Sequence, residues 1–175
     1  MGLPTETDEE IVGIAKLAEK GGKRYKEVTG GWGVTVTISV SCFVPKPHTP
    51  FQWYGQLPEA EFHRRQRLLK DSITERAVKF NYHDARVSVL EGAIARGNRK
   101  IAQVIYQAWK DGAKFDGWND LFKNDVWHEA FAKCGIDLHL YNERAREPEE
   151  KLPWEHTTPG VSKEFLLREY DKAIK

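Results

Sequence analysis

Residues 34–41, VTVTISVS, alternate aliphatic and hydroxylated side chains without a break, and this run restricts the possible folds more than any other feature. A two-residue period of β-branched side chains predicts a strand with one apolar face and one face of small hydroxyls. Such a strand suits a sheet covered by helices on one side and open to a partly polar barrel or cleft on the other; an antiparallel strand with a wet face is the plainer alternative. Directly after it, Pro45, Pro47 and Pro50 stand among Phe51, Trp53 and Tyr54. That spacing of prolines predicts a stiff, partly exposed loop that is neither helix nor central strand.

On the N-terminal side, Thr7 and Glu10 form a capping box, and Asp8 and Glu9 put negative charge where the helix dipole favours it. Ile11, Ile14, Ala15 and Ala18 follow as one apolar stripe, with an end predicted near Gly21 and Gly22 and a turn at Gly30, Gly31, Trp32 and Gly33. Downstream, Pro58 opens a basic helix with Phe62, Leu69 and Ile73 on one face and Arg64, Arg65, Arg67 and Lys70 around the rest. A short strand is predicted at 78–82. Beyond residue 85 only helices are expected: Val87, Leu90 and Ile94 stripe one, and Ile101, Val104, Ile105, Ala108 and Trp109 the next. Val126, Trp127, Ala130, Phe131 and Cys134 stripe a third, and Ser162 caps a last helix with Phe165, Leu166 and Tyr170. FDGW at 115–118 reads as a turn pinned into the core by its aromatics, and residues 136–160, polar and proline-containing, as a segment wrapping the surface.

The 175 residues carry 27 basic and 26 acidic side chains, so no global field draws the chain to nucleic acid or an anionic membrane. No apolar run approaches the roughly 20 residues of a membrane span, and no secretory signal is present, so a cytoplasmic setting is expected. Cys42 and Cys134 read as two reduced thiols. His48, His63, His83, His128, His139 and His156 show no helical i,i+4 pair and no CxxC exists, which gives no metal site. Phosphate-binding loops, dinucleotide fingerprints and nucleophile elbows are also missing. His83 with Asp84, and Glu91 with Arg96 and Arg99, could act as acid, base or polar lining, or equally as solvated ion pairs and caps. The 43–54 loop follows a parallel-type strand, where α/β folds bind ligands, so it is read as a binding wall or as a clamp on the end of the sheet.

Two strings, GLPTET at 2–7 and SCFVPKPHTPFQW at 41–53, resemble segments of radical S-adenosylmethionine enzymes, in the subgroup of Fe–S oxidoreductases with an N-terminal cobalamin-binding-like domain. LEGAIARGNRK at 90–100, FDGW at 115–118 and GVSKEFLLREY at 160–170 are similar to that subgroup's C-terminal extension. The resemblance implies an α/β fold: a partial β/α (TIM-like) barrel, last units only, over residues 1–84, followed by an all-helical C-terminal extension over 85–175. It implies that Gly2, Leu3, Pro4, Thr5, Glu6, Val44 and Pro45 lie beside S-adenosylmethionine, and that Lys46, His48, Phe51, Gln52 and Trp53 face substrate.

Members of the family carry a CxxxCxxC loop whose thiolates hold a [4Fe–4S] cluster, and no such loop occurs here. The chain is therefore expected to be a C-terminal segment that works with an upstream radical S-adenosylmethionine core. The intact protein would use S-adenosylmethionine and [4Fe–4S], generating a 5′-deoxyadenosyl radical, while this chain alone would bind neither and turn over nothing. The alternative is a non-catalytic module holding RNA or a protein partner, with the 63–70 helix meeting phosphates and Phe51, Trp53 and Tyr54 stacking on bases.

Overall fold

The computed structural model describes residues 1–31 and 33–175; Trp32, expected in a turn, lies outside the described residues. Two compact units emerge: the first comprises residues 1–43 and 59–85, the second residues 44–58 and 86–175. The polypeptide leaves the first unit after Phe43 and returns to it at Glu59.

In the first unit, helix α1 (Asp8–Thr29) starts at the predicted box: Glu10 N–H donates to Thr7 Oγ1 at 3.3 Å, and Thr7 N–H donates to Glu10 Oε2 at 2.9 Å. It does not stop at Gly21 and Gly22, as the glycine pair suggested. It runs 22 residues and ends where Gly30 adopts φ 62 and returns its N–H to Lys26 O. The reason is packing: buried Gly22 lies beside Val36 of the sheet, where a Cβ would stand at 3.5 Å from Val36 Cγ2, an ordinary van der Waals distance, so contact with the sheet carries the helix through the glycine pair. That contact outweighs a helix-propensity penalty of about 1 kcal/mol.

Strands β1 (Val36–Val40) and β2 (Val78–Tyr82) pair in parallel, with Val36 opposite Val78 and Ile38 opposite Phe80. Helix α2 (Glu59–Asp71) lies between them in sequence, making a β1-α2-β2 unit. Ile38 and Val78 pack with Ile11, Ala15 and Leu69 in one core, while Thr37 and Ser39 stay exposed. The alternation VTVTISVS thus separates a helix-covered face from a bare one. Among the described residues the sheet holds these two strands alone, each with one unpaired edge.

The second unit holds α3 (Ala85–Arg96, from Arg86 on), α4 (Ile101–Lys110), α5 (Asn124–Lys133), α6 (Leu138–Asn142) and α7 (Lys163–Ala173). Its main core is narrower than the apolar stripes predicted. Val89, Ala93, Val104, Ala108, Ala130 and Phe131 are buried, but Ile94, Ile105 and Trp109 are exposed. A ten-residue helix with apolar groups around most of its circumference can bury only one side, and α4 buries the side with the smaller residues. Phe115 and Trp118 are exposed as well, at 73% and 65%, so FDGW is not pinned into the core.

The 136–160 segment does not simply wrap the surface. Leu138, Asn142, Arg146, Leu152 and Trp154 are all buried, and several of the segment's polar groups find hydrogen-bond partners inside the unit. No described helix is long and apolar enough to cross a membrane.

Candidate functional site

At the carboxyl end of β1, Phe43 N–H donates to Met1 O at 2.7 Å, which brings the start of the 2–7 segment to the strand's exit. Gly2, buried at φ 99, turns the chain, and the N–H of Glu6 closes the turn on Leu3 O at 3.2 Å. The Glu6 carboxylate accepts from Gly2 N–H at 2.5 Å and from Arg65 Nη1 of α2 at 2.8 Å. Arg65 is held in turn by Glu61 at 2.8 Å. Glu6 is thus a brace. Pro4 is half-buried, and Leu3 and Thr5 are exposed, so the turn presents an aliphatic side chain and a hydroxyl outward.

A [4Fe–4S] cluster does not fit the donor set. Two cysteines cannot supply three thiolates; Cys42 is buried with Gln66 Nε2 3.7 Å from its sulfur, and Cys134 belongs to the other unit. Neither is in a disulfide, and among the described residues no three His, Cys, Asp or Glu side chains are grouped to hold a metal.

The other expected site residues belong to the second unit. Val44 is half-buried and Pro45 fully buried. Lys46 pairs with Glu91 on α3. Phe51 and Trp53, within a short 3-10 turn (Pro50–Trp53), set their rings edge-on to Tyr170 at 6.2 and 5.9 Å. Trp53 is 1% exposed and packs with Leu152, Trp154 and Leu166, so this part of the loop is core rather than partly exposed wall. Trp53 presents no face for stacking, and in the first unit Arg64 and Arg65 are occupied by Asp8, Glu61 and Glu6.

His48 and Gln52 do come together, lining a cleft of about 180 Å3 with Trp154, Thr157, Lys163 and Leu166. Gln52 is 4% exposed, and its Oε1 accepts from His48 N–H at 3.0 Å and Trp154 Nε1–H at 2.7 Å. Those bonds hold His48 at φ 57, a left-handed conformation uncommon outside glycine. The Thr157 hydroxyl gives its one proton to Trp154 O at 2.8 Å, so at its 2.8 Å contact with His48 Nε2 it accepts. Lys163 Nζ lies 3.4 Å from Glu155 at the same cleft. The arrangement offers an imidazole, an ammonium and an apolar floor, which can hold a small polar group, and among the described residues it sets no nucleophile in line with a base.

Thr157, Lys163 and Trp154 were not singled out from the sequence. Their signal, a lone Trp followed by TTPG before a capped helix, resembles any polar connection until the fold returns it to residues 48–52.

No family model and no solved structure matches the chain. Over 107 residues, 60% of the chain, it is 24% identical to Uncharacterized protein MJ0966 of Methanocaldococcus jannaschii. The matched stretch is 21% of that protein, so the chain spans well under two thirds of this relative's length.

Proposed function

We propose that the chain is the C-terminal segment of a radical S-adenosylmethionine enzyme and furnishes part of the wall around cofactor and substrate. The observation that supports this best is the junction at the carboxyl end of β1. Phe43 of the second segment that carries the family resemblance donates there to the carbonyl of Met1, the residue directly before the first segment. Parallel α/β folds bind their ligands at that end of a strand.

Two further features agree with the reading. A parallel pair with unpaired outer edges and a bare face of Thr37 and Ser39 is what the last units of a β/α barrel would present apart from their neighbours, since parallel sheets are otherwise covered on both faces. The alignment to a much longer protein is the second. In this reading Leu3 and Thr5 contact S-adenosylmethionine, Glu6 and Arg65 hold that turn in place, and His48 and Gln52 orient substrate. The cofactor supplies one-electron chemistry; these residues bind, orient and exclude water. Cluster ligands belong to a CxxxCxxC-bearing portion, the chain's partner.

The test is anaerobic incubation with iron and sulfide, then with S-adenosylmethionine and a reductant. Alone, the chain is expected to take up no stoichiometric cluster and release no 5′-deoxyadenosine. Joined in frame to a CxxxCxxC-bearing portion it should release 5′-deoxyadenosine, with a raised KM for S-adenosylmethionine in Leu3→Asp and Thr5→Ala. A [4Fe–4S] signal from the chain alone, or undiminished cleavage by the joined protein after deletion of residues 1–84, would sink the reading.

A further inference from the structure

We infer that the cleft formed by α6 and residues 144–153 of the second unit binds the phosphate of a small phosphorylated organic molecule. The cleft, about 280 Å3, is lined by Arg144, Arg146 and Lys151 with Glu150 as the one carboxylate, and by Leu140, Tyr141 and Pro153. This inference stands on the second unit alone and is independent of the radical S-adenosylmethionine reading.

Arg146 is its centre. The residue is only 6% exposed, yet it lines the cleft. Its guanidinium sits 5.0 Å over the Trp154 ring and gives one N–H to Arg96 O at 2.8 Å, while its Nε has no partner among the described residues. Behind it, fully buried Arg96 donates to Asn142 O at 2.6 Å and Arg144 O at 2.8 Å, again with an unpartnered Nε. Among the described residues neither guanidinium has a carboxylate partner. Buried charge is costly unless an opposite charge answers it, and burial holds both groups below the usual arginine range, Arg96 at about 10.

Glu150 is the internal substitute for the missing anion. It takes Arg144 in a two-pronged pair at 2.8 and 2.5 Å, the geometry in which arginine binds a phosphate. A phosphate dianion carries more charge than a carboxylate and can draw Arg144, Arg146 and Lys151 together. The volume exceeds what a bare phosphate fills, and Leu140, Tyr141 and Pro153 give an organic moiety an apolar wall. Three cations meeting in one pit fit a terminal phosphate better than a polynucleotide backbone, which needs cations spread along a track.

The experiment is titration calorimetry of the full chain at low ionic strength with inorganic phosphate, a nucleoside 5′-monophosphate, the parent nucleoside, and an oligonucleotide without terminal phosphate. The monophosphate is expected to bind more tightly than inorganic phosphate, and the nucleoside not measurably. Arg144→Gln and Lys151→Gln, both at exposed positions, should each weaken the monophosphate about tenfold, the size of one charge-assisted hydrogen bond, with an unchanged circular dichroism spectrum. Glu150→Gln should tighten it. Equal binding of the nucleoside, indifference to both cation variants, or tighter binding of the oligonucleotide than of the monophosphate would each overturn the inference.

Discussion

The main-chain N–H of His48 donates to the Gln52 carboxamide oxygen at 3.0 Å, and this bond fixes an imidazole-bearing residue at φ 57 on the rim of a cleft. The same oxygen takes the Trp154 indole N–H at 2.7 Å, so one buried amide ties the 43–54 loop to the 152–157 segment.

Gln52→Leu leaves two donors without an acceptor, at about 1–3 kcal/mol each, and should lower the free energy of urea unfolding by roughly 2–4 kcal/mol. Gln52→Glu keeps the acceptor and should retain most of that stability at neutral pH. Equal stability of the Leu and Glu variants would show that the bond does not hold the loop.

Trp53 is a folding residue. Trp53→Ala should cost about 3–5 kcal/mol, because it empties the centre of the Leu152, Trp154 and Leu166 cluster. Trp53→Phe should cost less than about 1.5 kcal/mol, since most of the volume remains and the buried indole nitrogen has no partner to lose. Near-ultraviolet circular dichroism and urea midpoints distinguish this from a surface role, in which both variants would be nearly neutral.

Two helical glycines should respond with opposite signs to alanine. At Gly21 an added Cβ meets nothing within 4 Å, and Gly21→Ala should stabilise by about 0.5–1 kcal/mol. At Gly92 it would stand 2.2 Å from Gln56 Oε1, and Gln56 is pinned through Ser88 O at 2.9 Å and Asn142 at 3.1 Å. Gly92→Ala should destabilise by about 1–3 kcal/mol despite its better helix propensity. Urea midpoints that rise for both would refute the close approach.

Glu61 links pH to the pairing of α1 and α2. Hydrogen bonds from Arg64 first, and then Arg65, bring its carboxyl from the usual 4.5 down to about 2, and Arg64 also holds Asp8 below its ordinary range. A carboxyl depressed in the folded state stabilises above its unfolded pKa and loses that contribution as pH falls toward the folded value. Unfolding free energy should therefore decline between pH 4.5 and 2, and Glu61→Gln should flatten that decline while weakening the protein at pH 7. Parallel pH profiles for the two proteins would contradict the pairing.

Local signals read true where a few neighbouring residues settle the matter. The Thr7 and Glu10 box, the Ser162 cap and the strand at 78–82 all form as expected, because caps and period-two alternation depend on groups within a turn or two. Gly21 and Gly22 misled for the opposite reason: whether a glycine ends a helix depends on what lies beside it, and Val36 lies beside Gly22. Of the residues lining the two clefts, His48 and Gln52 were named beforehand, through the family resemblance of the proline loop. Thr157, Lys163 and Arg146 were not, since they reach their places across roughly a hundred residues of chain or from a segment that reads as polar surface.

What the sequence determined by itself was the inventory: a mixed chain of helices and a few strands, one stiff loop, two thiols and no cluster-binding triad. What only the tertiary structure decided was orientation, namely that the two strands run parallel, that Trp53 turns inward, and that Arg96 and Arg146 are buried with no acid among the described residues to answer them. Periodicity encodes which side of an element is apolar, but burial is shared among competing faces and settled only when whole elements pack.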